Sequence, residues 1–296
     1  MILGDMPLEI IREIHKGLKP TDLVNSALSN IDVMRVIVDM IPKIRAIKIG
    51  ITSEKLNGKC DGDEFELHIP KVNREEIQEL LHFLMPQIVN EIHSLQLENE
   101  LVGDEISDEQ LAQLLQLTKN APLKQLALSE IDLERINTWT LALLAGYDKL
   151  EKVEIEGCNL GGDTEAKLLR CFQASFQTLT QIDLKGTSQI TDHFSQRVSR
   201  SCPNLAYFRI SDCPRVTTLS ALPFIESTAF RLSDKLDVHM DNTEFDANQL
   251  QNFMRSPLFG SQSAEWSLKP VVVPLGYDKP AVLALHSSRK CVLIFV

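Results

Sequence analysis

Leu150-Glu151-Lys152-Val153-Glu154-Ile155 decides the fold, because its spacing of apolar residues returns along the chain. With exchanges among apolar types it recurs as Ile92-His93-Ser94-Leu95-Gln96-Leu97, Leu123-Lys124-Gln125-Leu126-Ala127-Leu128, Leu179-Thr180-Gln181-Ile182-Asp183-Leu184 and Leu205-Ala206-Tyr207-Phe208-Arg209-Ile210. The central anchors Leu95, Leu126, Val153, Ile182 and Phe208 stand 31, 27, 29 and 26 residues apart, the kind of period that marks a repeat architecture. In a strand, successive side chains point to opposite faces. The last two anchors of each run therefore point inward, the residues between them outward, and consecutive runs stack as a parallel sheet.

Between the strands the apolar spacing becomes helical: Ile106, Leu111, Leu114 and Leu115; then Ile136, Leu141 and Leu144; then Leu168, Leu169 and Phe172; then Phe194 and Val198. One such strand-helix repeat cannot bury its apolar face alone, so stacking must supply the core. Ile44–Ile49 and Phe65–Ile69 read as first strands, followed by a long helix through Ile77, Leu80, Leu81, Phe83, Leu84, Ile88 and Ile92. After Val216 the pattern loosens. Phe230-Arg231-Leu232, Val238-His239-Met240, Val271-Val272-Val273 and Val292–Val296 are candidate strands there, with Leu250, Phe253 and Met254 on a helix.

Ahead of the repeats, Pro7 suits a first helical turn, where its missing N–H costs nothing, and Glu9 faces the positive end of the helix dipole. Ile10, Ile11, Ile14 and Leu18 are expected on one face. Pro20 restarts a helix carrying Leu23, Val24, Ala27 and Leu28, and Asn30 or Asp32 caps a third with Val33, Val36, Ile37 and Met40. Three short amphipathic helices leave apolar surface uncovered, which points to packing on the repeats, on a partner, or on both.

Leu3-x-x-Met6-Pro7-Leu8-Glu9-Ile10, followed by Leu18-Lys19-Pro20-x-Asp22-Leu23, resembles an F-box. The resemblance covers about forty residues and departs from the family after Leu28, where Ser29-Asn30-Ile31-Asp32-Val33 stands. It implies binding to the Skp-type adaptor of SCF cullin-RING ubiquitin ligases through Met6, Pro7, Ile10, Ile14, Leu18, Pro20 and Leu23. Cys158 and Cys213 each stand three residues after the last strand anchor, and Thr187 takes that place after Leu184. This resembles the cysteine-containing leucine-rich repeat, most closely from Thr187 through Ser201-Cys202-Pro203-Asn204-Leu205. Such arrays commonly follow an F-box.

The expected fold is thus α/β: a leucine-rich-repeat solenoid of parallel strands with helical returns over residues 42–219, an F-box-like three-helix module over 1–41, and an irregular continuation over 220–296. The alternative is that the leading helices only cap the array, as terminal units of repeat proteins must.

A net charge of -11 disfavours nucleic acid or an anionic membrane as partner. No stretch approaches the run of about 18 apolar residues a membrane helix needs, so a cytoplasmic or nuclear location is expected. The six cysteines are scattered without a Cys-x-x-Cys pair, so reduced, packed thiols are expected and zinc is not. Gly58-Lys59-Cys60 lacks the remainder of a phosphate-binding loop and reads as a turn. Asp61-Gly62-Asp63-Glu64 lacks the ligand alternation of a calcium loop and reads as a solvated one. No nucleophile is paired with a base, so neither catalysis nor a cofactor is expected.

Recognition is expected on the outward, concave strand face, where Gln125, Ala127, Lys152 and Gln181 accompany the residues of most interest. Glu154, Glu156 and Asp183 would form an acidic centre there, and Lys185, Tyr207 and Arg209 a basic and aromatic edge. The resemblance implies a substrate receptor that presents a target protein to the ligase. A ligase-independent interaction scaffold is the alternative.

Overall fold

A computed structural model describes residues 6–40, 44–52, 57–70, 82, 85–86, 89–99, 106–162, 164–227, 232, 235–255, 266–271, 281–286 and 292–295. The chain divides into two units, residues 1–143 and 144–296.

In the first unit, helices α1 (Leu8–His15), α2 (Pro20–Ser29) and α3 (Ile31–Ile37) precede strands β1 (Ala46–Thr52), β2 (Asn57–Asp61), β3 (Glu64–Pro70) and β4 (Ser94–Asn99). Helix α4 (Asp108–Leu117), strand β5 (Gln125–Ser129) and helix α5 (Thr138–Leu144) follow. The strand order is β5-β4-β1-β3-β2, parallel except for the β2–β3 hairpin. Gly58-Lys59-Cys60 is therefore a strand rather than a turn. The reversal comes at Gly62, whose φ of 61° suits the first position of a tight hairpin turn.

The edge strand β2 has little apolar alternation of its own, and α2 holds it. Gly58 N donates to Asn25 Oδ1 at 3.2 Å, and Thr21 Oγ1 donates to Cys60 O at 3.1 Å, so side chains of α2 satisfy backbone groups of β2. This is a helix covering a sheet edge that would otherwise be free to pair with another chain. A Cβ at Gly58 would lie 2.6 Å from Leu28 Cδ1 and 2.7 Å from Val24 Cγ1, so the helix can approach this closely only over glycine. The expected boundary after residue 41 is accordingly not a break in packing, and that after 219 falls inside the second unit.

In the second unit, β6 (Lys152–Glu156), α6 (Thr164–Phe172), β7 (Gln181–Lys185), α7 (Asp192–Ser201) and β8 (Tyr207–Ser211) alternate as expected. Then come α8 (Leu222–Glu226), β9 (Lys235–Asp241), α9 (Ala247–Arg255), β10 (Trp266–Val271), β11 (Ala281–His286) and β12 (Val292–Phe295). The order is β6-β7-β8-β9-β12-β11-β10. The first five strands run parallel, and β11 is antiparallel to both its neighbours. The apolar segment at Val292 is thus flanked by β9 and β11. Leu232 lies outside any strand and is exposed. Phe230, Arg231, Val272, Val273, Val296, Cys291 and most of the long helix expected through Ile77 and Ile88 fall outside the described residues.

Three local devices recur along the pattern. The residue after each of β5 to β9 adopts left-handed φ: Glu130, Gly157, Gly186, Asp212 and Asn242, at 51° to 66°. Where that residue is glycine the conformation is free, whereas Glu130, Asp212 and Asn242 adopt it at a steric cost of about 1–2 kcal/mol. After β6, β7 and β8 the next residue is buried and donates back: Cys158 Sγ to Glu156 O at 3.5 Å, Thr187 Oγ1 to Lys185 O at 3.4 Å, Cys213 Sγ to Ser211 O at 3.3 Å. That shared bond explains why cysteine and threonine alternate at one repeat position. Finally, the carbonyl ahead of one strand accepts two N–H groups from the next, as Glu151 O does from Thr180 and Gln181 and Thr180 O from Ala206 and Tyr207.

Carboxylates staple the helical side. Asp108 Oδ1 accepts from Asn137 N at 2.7 Å. Glu165 Oε1 accepts from Thr191 N at 2.5 Å and Thr191 Oγ1 at 2.6 Å, and Asp192 accepts from Thr217 N and Thr217 Oγ1 at 2.7 Å each. Inside, Val153, Ile155, Ile182, Leu184, Phe208, Ile210, Val238 and Met240 are buried as the alternation requires. Each contributes roughly 1.5–3 kcal/mol by leaving water. The described cysteines are buried thiols outside any disulfide. Burial pushes the Cys171 thiol up to about 12 and Cys213 to about 11, so they pack as apolar groups.

Candidate functional site

Two surfaces hold the residues singled out from the sequence, one in each unit. The first is the outer face of α1. The helix is pinned from inside by Ile11, 1% exposed, and by His15, 2% exposed. His15 Nδ1 donates to Ile11 O at 2.6 Å, and its Nε2 lies 2.6 Å from Ser26 Oγ on α2. Arg12 Nε adds a bond to Val36 O at 3.2 Å. With residues 11 and 15 inward, residues 10 and 14 face outward, one helical step round.

The four-residue face expected from the sequence is therefore split. Ile11 belongs to the core, while Leu8, Ile10, Ile14 and Leu18 remain 61%, 49%, 50% and 39% exposed. Pro7 and Pro20 are exposed beside them and Met6 is half-buried. Leu23, at 5% exposure, is in the interior and unavailable to a partner, because α2 turns that side inward. Leu8, in the first turn of α1, is exposed but lies on the side of Ile11 and His15 rather than with Ile10 and Ile14.

The second surface is the half-exposed face of β6–β9, arranged by register in three rows. Lys152, Gln181, Tyr207 and Asp237 form one, Glu154, Asp183, Arg209 and His239 the next, and Glu156, Lys185, Asp241 and the buried Ser211 the third. All six residues expected to meet a target lie within it. Their charges do not segregate into an acidic centre and a basic edge, as expected, but interleave. Lys152 Nζ lies 2.7 Å from Glu154 Oε1, Lys185 pairs with Glu156, and Arg209 lies 3.2 Å from Asp241 Oδ2 and 3.9 Å from Asp183 Oδ2. Gln125 and Ala127 belong to the first unit's sheet.

Burial raises the Asp183 carboxyl above its ordinary range, opposed by Arg209 and assisted by Glu154. Burial lowers the His239 imidazole against the pull of Asp241 and Asp237. The hydrogen bond to Glu156 raises the exposed Lys185 ammonium. Tyr207 and His239 stack with ring centroids 5.1 Å apart, an aromatic step that the sequence pattern did not reveal because it depends on register between β8 and β9.

Among the described residues no group of three or more His, Cys, Asp or Glu side chains is placed to hold a metal ion, and no helix is long and apolar enough to cross a membrane. No protein-family model matches the chain, and no curated protein is significantly similar to it.

Proposed function

We propose that this chain is a non-catalytic recognition subunit of an SCF-type ubiquitin ligase, built as a leucine-rich-repeat solenoid behind an F-box-like module. The observation that carries the reading is the apolar outer face of α1: Ile10 and Ile14 stand in solvent on a helix fixed from behind by Ile11 and His15, with Leu18 exposed just beyond its C-terminal end. Exposed apolar clusters of this kind mark docking surfaces. An apolar groove on a Skp-type adaptor, and through it a cullin-RING complex, is the partner that the F-box resemblance supplies. The face of β6–β9 would hold a target protein through Glu154, Glu156, Asp183, Lys185, Tyr207 and Arg209. The contribution to ubiquitin transfer is then positional, raising the effective concentration of target lysines.

The ligase-independent scaffold has its own support, since α2 seals the edge of β2 and so acts as a cap whatever α1 does. Binding of the full chain to a purified Skp-type adaptor by isothermal titration calorimetry separates the two. The ligase reading expects a one-to-one complex that the Ile10→Asp/Ile14→Asp variant loses by a hundredfold or more, as for the removal of hot-spot residues costing about 2 kcal/mol each, with an unchanged circular dichroism melt. A folded wild-type chain that does not bind leaves the capped scaffold.

A further inference from the structure

On the helical side of the second unit, α6, α7 and the turn after β8 enclose a cleft of about 720 Å³, a size ordinary for a small-ligand site. Three arginines line it, Arg170 from α6, Arg197 from α7 and Arg215 from the turn, together with His193. On the strand face of the same unit Lys152, Lys185 and Arg209 are each tied to a carboxylate. By contrast, no ion pair engages Arg170, Arg197 or Arg215 among the described residues.

Among the described residues Glu165 is the one carboxylate lining the cleft, and it is already committed. Its Oε1 accepts from Thr191 N and Oγ1, and its Oε2 lies 3.2 Å from His193 Nδ1. The described lining residues therefore set three arginines against one carboxylate in a chain whose net charge is -11. Solubility does not require that concentration of guanidinium groups, and an anion would be drawn to it. Guanidinium forks match the oxygens of a phosphoryl group, which gives three arginines a joint target that scattered lysines would not share.

Two further features shape the ligand. Gln189 also lines the cleft, and its Oε1 is out of reach of solvent with no hydrogen-bond partner among the described residues, so a bound N–H or O–H would satisfy it. Leu169 and Phe176 form an apolar stretch of wall.

We propose that this cleft binds a phosphoryl group, borne either by a small phosphorylated molecule or by a phosphorylated side chain of a protein, with the attached portion lying against Leu169 and Phe176. The site lies apart from α1 and does not rest on the adaptor reading.

The test uses the full chain, two fluorescence-anisotropy probes and a competitor: a fluorescein-labelled phosphoserine heptapeptide pool with degenerate flanks, the same pool with serine, and inorganic pyrophosphate. The expected result is at least tenfold preference for the phosphorylated pool or competition by pyrophosphate. It should weaken as salt rises and fall at least tenfold in Arg197→Ala and Arg215→Ala, both exposed positions whose melts should match wild type. Pool binding without competition assigns the site to phosphoprotein, and pyrophosphate binding without pool preference, read by calorimetry, to a small molecule. Equal binding of the two pools with no effect of pyrophosphate overturns the proposal, as does binding that survives both substitutions.

Discussion

The outer face of α1 and the face of β6–β9 are both candidate recognition surfaces, yet they are built on opposite principles. The first is apolar and has no internal partner: the exposed parts of Ile10 and Ile14 gain nothing until something covers them. The second is polar and satisfies itself, with Lys152, Lys185 and Arg209 each held by a neighbouring carboxylate. A partner on α1 gains the desolvation of the exposed half of Ile10 and Ile14, about 1 kcal/mol apiece. A partner on the strands must exchange pairs already made, so that surface selects more than it binds. The difference separates an anchoring element from a discriminating one.

The contrast depends on α1 being held from inside, and the sharpest way to break it is at Gly58. Gly58→Val places atoms where Leu28 and Val24 already lie, lifting α2 off β2 and with it the His15–Ser26 link to α1. A loss of about 2–3 kcal/mol is expected from overpacking, read as a shift in urea midpoint of the full chain. An unchanged midpoint would mean that α2 does not depend on its seat over β2.

A smaller effect probes the strand face. Arg209 is about one-third exposed and spans Asp183 and Asp241, so Arg209→Ala leaves two half-buried carboxylates facing each other. The expected cost is about 1–2 kcal/mol, in the range for lost bonds to charged groups. Lys152→Ala, removing a more solvated pair, should cost less than about 1 kcal/mol. Equal costs in chemical denaturation would show that the face is not graded as its geometry implies.

Much of this was legible in the sequence, for a physical reason. Strands β4–β8 and their returning helices announce themselves because burial imposes a period of two in one and 3.6 in the other, and Val153, Ile182 and Phe208 all landed inside. Strand β2 did not, since Asn57-Gly58-Lys59-Cys60-Asp61 draws its structure from pairing with β3 and from side chains of α2. On α1 the spacing offered two adjacent stripes. The choice fell to His15, a polar residue whose burial beside Ser26 no hydropathy pattern can express. On β6–β9 every charge was visible, but which charges meet depends on strand register, and so did the stacking of Tyr207 on His239. Glycines at 157 and 186 hinted at left-handed turns, whereas Glu130 and Asp212 in the same role gave no such hint.

The smallest expected effect is a pH dependence seated at His239. Its imidazole is half-buried against Tyr207, with Asp237, Asp241 and Lys235 on its own strand and Arg209 beside it on β8. Burial outweighs the carboxylates and holds its pKa below the ordinary 6.5. In the window between that lowered value and 6.5 the unfolded chain binds more protons than the folded one, so stability rises with pH there. The stabilisation is full above about 6.5 and is lost as pH falls through the folded value. Asp183 acts with the opposite sign: its carboxyl is raised above 3.8, so its contribution is present below 3.8 and lost as pH rises through the folded value. Comparing wild type with His239→Gln subtracts Asp183 and leaves the histidine. Urea denaturation from pH 5 to 8 should then show a shallower acid limb in the variant. Parallel curves would place His239 in a solvated setting and remove the aromatic step from the discriminating face, whereas a convergence of the two curves toward acid pH would tie that face to the protonation of one side chain.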